Sequence, residues 1–596
     1  MPEVRGVSEP REKVRRKNRS KGRPRAPETP SPVAEKPSAR WWIYPFAAAA
    51  ALYLVFQVYS SALSGPFVFD DMSLPYHAAD FPPSLSAWIG GVRPLLMFSY
   101  WVNYQISEAP YAFHITNVLI HLLNGFLVLI IVRKLAQPYR SDWLLPSFAA
   151  AVFLLHPIQT EAVSYIAGRS ESLSVLFFFA AFAVFLYRRS PAISWTVAIA
   201  VLLLFGAAAA TKEHTVVLPA LLLLTDYYWN PGFSLTGIRR NWRLYIPIAV
   251  SGACGLILVA SILANSPTAG FGMKDFTWYQ YFFTECRAFF VYLRLLVFPA
   301  GQNLDWEYPI SRTLLDHGAI LGLAAILALV AAAIFFRRRY PLASYGFLVY
   351  VLLMAPTSSF VPIRDPIAER RLYLPMFGLL LVAVAALARL RVDRRKLAAA
   401  LCGVVAVLAF LTYQRNQLWA SDIAIWEDAA RKSPGKQRVH FQLAHTYYSH
   451  GMAEQSPERC RDAIARYAEA ARVQKPDYGL LVDWGLAYDC AGQPDAAIAK
   501  LREAAELKPT AHVYSQIGMV YAKRSEWPEA LAALDQAEKL DANFDMIYDN
   551  RGGVRAKTHD LAGAAADYRH ALTLNPSNEH ARQMLAIVER QLNSRR

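Results

Sequence analysis

The sequence predicts an all-α protein in two parts, a polytopic bundle of membrane helices with about 11 spans followed by a soluble superhelix of repeated helix pairs. Four observations predict it. Hydrophobic residues make up 55% of the chain and charged residues 18%, with mean hydropathy +0.20. The apolar residues are bunched into runs suited to a hydrocarbon core about 30 Å thick. Basic residues sit in the short loops between runs, where they set topology. Beyond residue 416 the runs stop, and small and large apolar residues recur with a period near 34. At 596 residues the chain is too long for one domain. The expected division is a basic tail (1–40), a membrane domain (41–415) and a repeat domain (416–596).

Residues 1–40 are rich in Arg, Lys, Pro and Ser, and such a segment cannot bury enough surface to fold. Its basic stretch is too long for a signal peptide, so it is read as a disordered cytoplasmic tail that sends the first span outward. The net charge of +16 raises nucleic acid as a partner. Because the charge lies where the positive-inside rule requires it, no nucleic-acid partner is expected.

The first span, 42–63, ends in Gly65-Pro66-Phe67-Val68-Phe69-Asp70-Asp71, and a Pro-rich loop with His77, Asp80, Trp88 and Arg93 follows. Adjacent carboxylates raise each other's pKa, which makes Asp70 or Asp71 a candidate general base. A solvated turn or helix cap is the plainer alternative.

Span 113–132 returns to Arg133, Lys134 and Arg140; 143–155 goes out and 173–187 comes back to Arg188 and Arg189. Span 193–210 leads out to Thr211-Lys212-Glu213-His214, and 216–228 returns to Arg239, Arg240 and Arg243. Runs this short either thin the bilayer or surround a water-filled cavity. After span 244–263, the stretch 281–298 is apolar but holds Glu285, Arg287 and Arg294. Were it to span, Arg337-Arg338-Arg339 and the basic cluster at 389–396 would fall outside, so it is read as dipping into the interface. Spans 317–336, 342–355, 372–387 and 397–413 complete eleven, which places everything after Tyr413 outside the cytoplasm.

One repeat register is Gly485, Tyr488, Ala497, Leu501, Ala504, Pro509; a second is Gly518, Tyr521, Ala530, Leu534, Ala537; a third is Gly552, Ala564, Tyr568, Ala571, Pro576. A looser copy holds Ala444, Tyr447, Tyr467, Ala470 and Pro476, and a half copy Trp426, Ala429 and Pro434. These are the positions of tetratricopeptide repeats, pairs of antiparallel helices stacked into a superhelix, and 579–594 is expected to cap them. The five cysteines have no metal-ligand spacing, and neither a zinc site nor a disulfide framework is expected; Cys460 and Cys490 are the pair that could meet in the repeat domain, but a bond between them is not the expectation.

The ordered pieces FVFDD (67–71), RPLLMFSYWVNY (93–104), FHITNVLIHLL (113–123), HPIQTEAVSYIAGRSE (156–171), TKEHTVVLP (211–219) and AERRLYLP (368–375), with repeats behind them, form a recognisable set. By them the chain resembles the transmembrane and tetratricopeptide-repeat O-mannosyltransferases and their bacterial relatives, which are C-type glycosyltransferases. The repeat domain is shorter than in the animal proteins. The resemblance implies a polyprenyl-phosphate-linked sugar donor, inverting transfer to an acceptor hydroxyl, and a first-loop aspartate, here Asp70 or Asp71, as base. Asp71 is placed slightly ahead of Asp70. A lipid phosphate leaves well, so the site needs cations and hydrogen-bond donors rather than a general acid.

Candidates for the phosphate are Arg93, Arg169, Lys212 and Arg370, all in loops assigned to one side. The alternative for each is a local ion pair: Lys212 with Glu213, Arg370 with Glu369, Arg169 with Glu171. His156, Glu161, Glu213 and Glu369 are expected to shape the pocket, with His114, His121, Asp305 and Trp306 as further lining candidates. No metal and no cofactor is required; the lipid-linked sugar is a substrate, and membrane lipids are partners. The first helices of stacked repeats normally line a groove, and Tyr447, Trp484, Tyr514 and Asn550 are expected there, holding an extended protein acceptor. For Tyr447 and Trp484 the alternative is interhelical packing. Two rival functions keep the same helices: transfer to a lipid or cell-surface glycan, and a non-enzymatic scaffold. A scaffold has no use for paired carboxylates and several arginines facing one cavity. Ala- and Arg-rich composition with compact loops points to a bacterial plasma membrane, with the endoplasmic reticulum as the alternative.

Overall fold

The computed structural model describes residues 43–75, 84–139, 142–265 and 269–594. The tail, His77, Asp80 and Arg140 lie outside the described residues. Leu52–Arg596 form one compact unit. Among the described residues every regular element is a helix, with one isolated β-bridge between Ala269 and Ile363.

Each apolar run expected to span coincides with a helix. In order these are Ile43–Leu63, Pro110–Ala136, Leu144–Leu155, Arg169–Leu186, Trp195–Ala209, Leu218–Trp229, Trp242–Asn265, Ala319–Phe335, Pro341–Met354, Met376–Leu387 and Arg394–Trp419. Among the described residues, Pro110–Ala136, Ile166–Leu186, Asp316–Arg338 and Arg394–Trp419 are long and apolar enough to cross a membrane, and five further apolar helices are shorter. This is a membrane protein. The run expected from 372 begins only at Met376, because Glu369–Leu372 winds into a 3-10 turn and Pro375 caps the helix. The last membrane helix runs past the expected boundary at 415 to Trp419. The 281–298 stretch is one helix, Trp278–Val297, that buries Tyr281, Glu285, Phe289 and Tyr292.

Short helices are explained by what interrupts them. Between Leu155 and Arg169 the chain makes three short turns, Pro157–Gln159, Thr160–Val163 and Ile166–Gly168, almost wholly buried. Non-helical backbone is tolerated among membrane helices only where protein groups satisfy it. Here Asn117 Nδ2 donates to the carbonyls of Val163, Tyr165 and Ile166, Tyr100 Oη donates to Ile166, and Thr412 Oγ1 to Leu155.

Basic loops meet at one end of the bundle. Arg133 donates to the Asp142 carbonyl, Arg394 lies 3.9 Å from the Asp142 carboxylate, and Arg389 sits over the Tyr340 ring. Arg338 lies over Phe233, and Arg188 pairs with the buried Asp226.

The repeat domain opens with a single helix, Asp422–Lys432, as the half copy predicts. Helix pairs follow: Gln437–Ala453 with Pro457–Val473, Tyr478–Cys490 with Pro494–Leu507, Ala511–Lys523 with Trp527–Leu540, and Asp545–Lys557 with Leu561–Leu574. Glu579–Ser594 closes the stack. These are tetratricopeptide repeats: Gly485 and Gly518 face Leu501 and Leu534, where a Cβ would come within 3 Å. One expectation is corrected. Cys460 and Cys490 form a disulfide, 30 residues apart in sequence. The second helix of one repeat stacks on the first helix of the next, which brings the two cysteines together without any short-range spacing signal.

Candidate active site

Two aspartates that are adjacent in sequence have opposite surroundings. Asp71 is 1% exposed, and its carboxylate accepts from the backbone N–H of Val68 at 3.0 Å and of Ala167 at 2.7 Å. It thereby ties the first loop to the buried 156–168 turns. Burial pushes its carboxyl up to about 8, against the two N–H groups that favour the ionised form. Asp70 is exposed, and its backbone N–H donates to Tyr165 Oη at 2.8 Å. Asp71 is a bracket with both oxygens engaged, whereas Asp70 is exposed and lies against the Tyr165 hydroxyl.

Three of the candidate cations pair with carboxylates distant in sequence. Arg370 pairs with Glu161 through Nη1, and its backbone N–H donates to the other Glu161 oxygen at 3.0 Å. Lys212 Nζ reaches Glu171 at 2.5 Å and Ser170 at 3.1 Å, and burial holds its pKa down. Arg93 forks Glu213 at 2.9 and 2.8 Å. The local pairings weighed as alternatives for Lys212 and Arg370 are not the ones formed: each is ion-paired, but with Glu171 and Glu161 rather than with its chain neighbour. A carboxylate beside an arginine in sequence points elsewhere in a tight turn. Arg370 and Arg93 keep 26% and 39% of their side-chain surface exposed. Tyr165 lies within electrostatic reach of Asp70, Asp71 and Arg370, and Lys212 of Arg93 and Arg370.

Arg169 does not join this face. It is fully buried, donates to Asn117 Oδ1 at 2.7 Å and to the carbonyls of Ser99 and Phe113, and its guanidinium stacks over Tyr100. It holds helices together, and the expectation that it grips phosphate is corrected. The pocket residues divide similarly. Glu161 and Glu213 touch the exposed cations. His156 is buried, accepts from the Ile158 N–H and meets the Leu296 carbonyl, and burial holds its imidazole down to about 4. Glu369, 1% exposed, accepts from Asn303 N, Gln302 Nε2 and Trp306 Nε1, and burial raises it to about 7. Asp305 and Trp306 belong to the same loop. His114 and His121 are buried against the Gly65 and Leu154 carbonyls, with His121 also meeting Tyr373 Oη at 2.8 Å.

Sequence reasoning missed Tyr165, Asn117 and His214. All three lie in quoted motifs, but tyrosine, asparagine and histidine there read equally as packing. His214 is buried with Nε2 3.5 Å from Glu171, beside Lys212.

Among the groove candidates, Tyr447 and Trp484 are buried at 7% and 9% exposure. Tyr447 Oη bonds Glu427, and Trp484 stacks on Tyr488 with Lys500 over its ring. For these two the packing alternative holds. Tyr514 lines a cavity of about 520 Å³ with Arg502, Tyr521 and Gln536, between second helices of neighbouring repeats. Asn550 Nδ2 donates to Ser515 Oγ at 2.9 Å and so lies on the ladder of first helices. No cluster of metal-ligating side chains occurs among the described residues.

No family model matches the chain. It is 25% identical over 599 residues to the protein O-mannosyl-transferase TMTC3 of Mus musculus, covering 89% of this chain and 64% of that protein. It is 24% identical to TMTC3 of Homo sapiens, covering 90% and 65%, and 25% identical to the human protein O-mannosyl-transferase TMTC1, covering 69% and 54%. The chain thus spans slightly less than two thirds of the length of the TMTC3 relatives and about half that of TMTC1. Among solved structures it is similar to YrrB, a TPR protein with an unusual peptide-binding site, at 20% identity and TM-score 0.23, covering 30% of this chain and 88% of that one. A thermophilic TPR protein of Thermus thermophilus is 22% identical with TM-score 0.25, covering 30% and 92%.

Proposed function

We propose, from the homology of this chain to the protein O-mannosyl-transferases over most of its length, that it is a membrane glycosyltransferase. It transfers mannose from a polyprenyl-phosphate carrier to hydroxyls of exported proteins. One observation carries the reading: Asp70 is exposed against Tyr165, Tyr165 lies within electrostatic reach of Arg370, and Arg370 and Arg93 both lie within reach of Lys212. A general base within reach of the acceptor hydroxyl removes its proton as the oxygen attacks the anomeric carbon. The bond from that carbon to the phosphate oxygen breaks, and the phosphate leaves with the bonding pair. Arg370 is suited to receive the charge. It engages Glu161 through one nitrogen, and a guanidinium presents a planar fork to phosphate oxygens. Lys212 and Arg93 add positive potential in a site with low-dielectric walls. Inversion at the sugar follows from a single displacement.

The site faces away from the cytoplasm in this reading, and eleven helices cross the membrane. Supporting this, the Arg133, Arg188, Arg338, Arg389 and Arg394 loops share contacts at one end, as the positive-inside rule requires. The disulfide in the repeats suits an oxidising compartment. The test is reconstitution in vesicles with polyprenyl-phosphate mannose and an unstructured Ser/Thr-rich peptide. Mannosylated peptide is expected from the wild type and none from Asp70→Asn. Release of mannose to lipid or glycan acceptors alone would overturn the protein acceptor.

A further inference from the structure

The junction between the last membrane helix and the repeats touches the Asp70 loop directly. Phe69 has φ of 54°, a left-handed conformation that an aromatic residue keeps only where its surroundings impose it. Two side chains from the junction do so. The Trp426 ring meets Phe69 edge to face with centroids 5.4 Å apart, and the Arg438 guanidinium lies 5.5 Å from the ring centroid.

Neither is free to swing away. Trp426 is 1% exposed in the core shared by the first repeats and the Val68 and Tyr165 segments. Arg438 forks Asp305 at 2.7 and 2.5 Å and reaches Asp365 at 2.7 Å. Lys436 joins the same two carboxylates. On the other side of Asp70, Tyr165 takes the Asp70 N–H and stacks on Trp419 at 5.8 Å. Gly65 packs so closely on the Trp419 carbonyl that a Cβ would fall 2.3 Å from its oxygen.

We propose that Trp426 and Arg438 are positioning residues for Asp70: by gripping the Phe69 ring they fix the left-handed turn that presents the neighbouring carboxylate. The first turns of the repeat domain are then a working part of the catalytic centre. This rests on the reading of Asp70 as the base. The catalytic module therefore extends beyond residue 438, and a chain cut after Trp419 loses more than an acceptor groove.

The test uses the full chain in detergent, with two readouts: hydrogen exchange across residues 66–73 and transfer kinetics. Arg438→Ala is expected to speed exchange of the Asp70 amide and to lower kcat about tenfold or more, with KM for the donor within about twofold. Arg438→Lys, which keeps the cation and loses the fork, should fall between. Glycine takes positive φ without strain. In a Phe69→Gly background, Arg438→Ala should therefore add less than about twofold. Unchanged exchange in Arg438→Ala, or the same loss in both backgrounds, overturns the proposal. If Arg438→Ala fails to fold, Arg438→Lys and Trp426→Phe carry the same comparison. Should exchange respond as expected while the wild type transfers no sugar, the functional reading fails and the positioning role stands.

Discussion

The loop cluster and the repeat ladder both carry many charges, but they hold them differently. In the loop cluster Glu161, Glu171 and Glu369 are at most 4% exposed. Their partners come from elsewhere along the chain: Arg370 lies 209 residues from Glu161, and Lys212 lies 41 from Glu171. In the repeats, pairs such as Lys523–Asp489 link neighbouring first helices, and Lys523 is 59% exposed. A buried pair costs desolvation and is severe to break, whereas an exposed pair contributes little. Charge in the cluster therefore fixes geometry, while charge on the ladder mostly solvates a surface.

The largest effect expected from this contrast is at Asp70. Asp70→Asn should lower transfer by about 10²–10⁴-fold with donor binding retained, because an amide cannot take the acceptor's proton. Asp71→Asn should act through the fold. It turns an N–H donor toward a backbone N–H and costs about 1–3 kcal/mol in a denaturant or thermal unfolding measurement. Equal stability in both variants, with equal loss of transfer, would erase the distinction between them.

Next is the grip on phosphate. Arg370→Ala should weaken donor binding by about tenfold or more, and Arg370→Lys by less, since lysine keeps the charge and loses only the fork. Arg370→Ala also strands the buried Glu161, so Glu161→Gln/Arg370→Ala should recover stability without recovering donor affinity. Wild-type affinity in the double variant, measured by binding of labelled donor, would make Arg370 a structural partner of Glu161 alone.

How much of this was readable in the sequence follows the same divide. Helices were legible because hydrophobic runs and the repeat period are local, and the Glu579–Ser594 cap falls where the pattern placed it. Partners of the charged residues were not, because they are set by loops that meet only in the folded bundle. Arg169 shows why. A buried arginine satisfied by carbonyls and an exposed one poised for phosphate have the same sequence signature. Cys460 and Cys490 were illegible for a related reason, since their contact crosses a repeat boundary. Arg93, Lys212 and Arg370 stood out as basic residues in the quoted motifs, whereas their partners, Tyr165 and the Phe69 contact are set only in the folded chain.

A smaller effect is expected from the disulfide. Closing 30 residues of chain, it should stabilise the repeats by about 3.6 kcal/mol on the loop-entropy account. Cys460→Ser/Cys490→Ser should lower the unfolding midpoint of the repeats and leave donor binding unchanged. A matching loss of donor binding would mean that strain in the second repeat reaches the loop cluster, and the two regions would not be separable.

The smallest effect is at the exposed ladder. Lys523 Nζ lies 2.5 Å from Asp489 Oδ2, a short contact on the first-helix side of repeats two and three. Distance alone suggests a strong bond, but the lysine is mostly hydrated, and holding its long side chain in place costs rotamer freedom. A double-mutant cycle with Lys523→Ala and Asp489→Ala should give a coupling of about 0.2–1 kcal/mol that shrinks as salt rises. Transfer to a peptide acceptor should change little in either single variant. A coupling above about 2 kcal/mol, insensitive to salt, would place this pair in the regime of the buried loop cluster. The ladder would then be a rigid, preorganised surface rather than a solvated one, and its charges would have to be read as part of acceptor recognition.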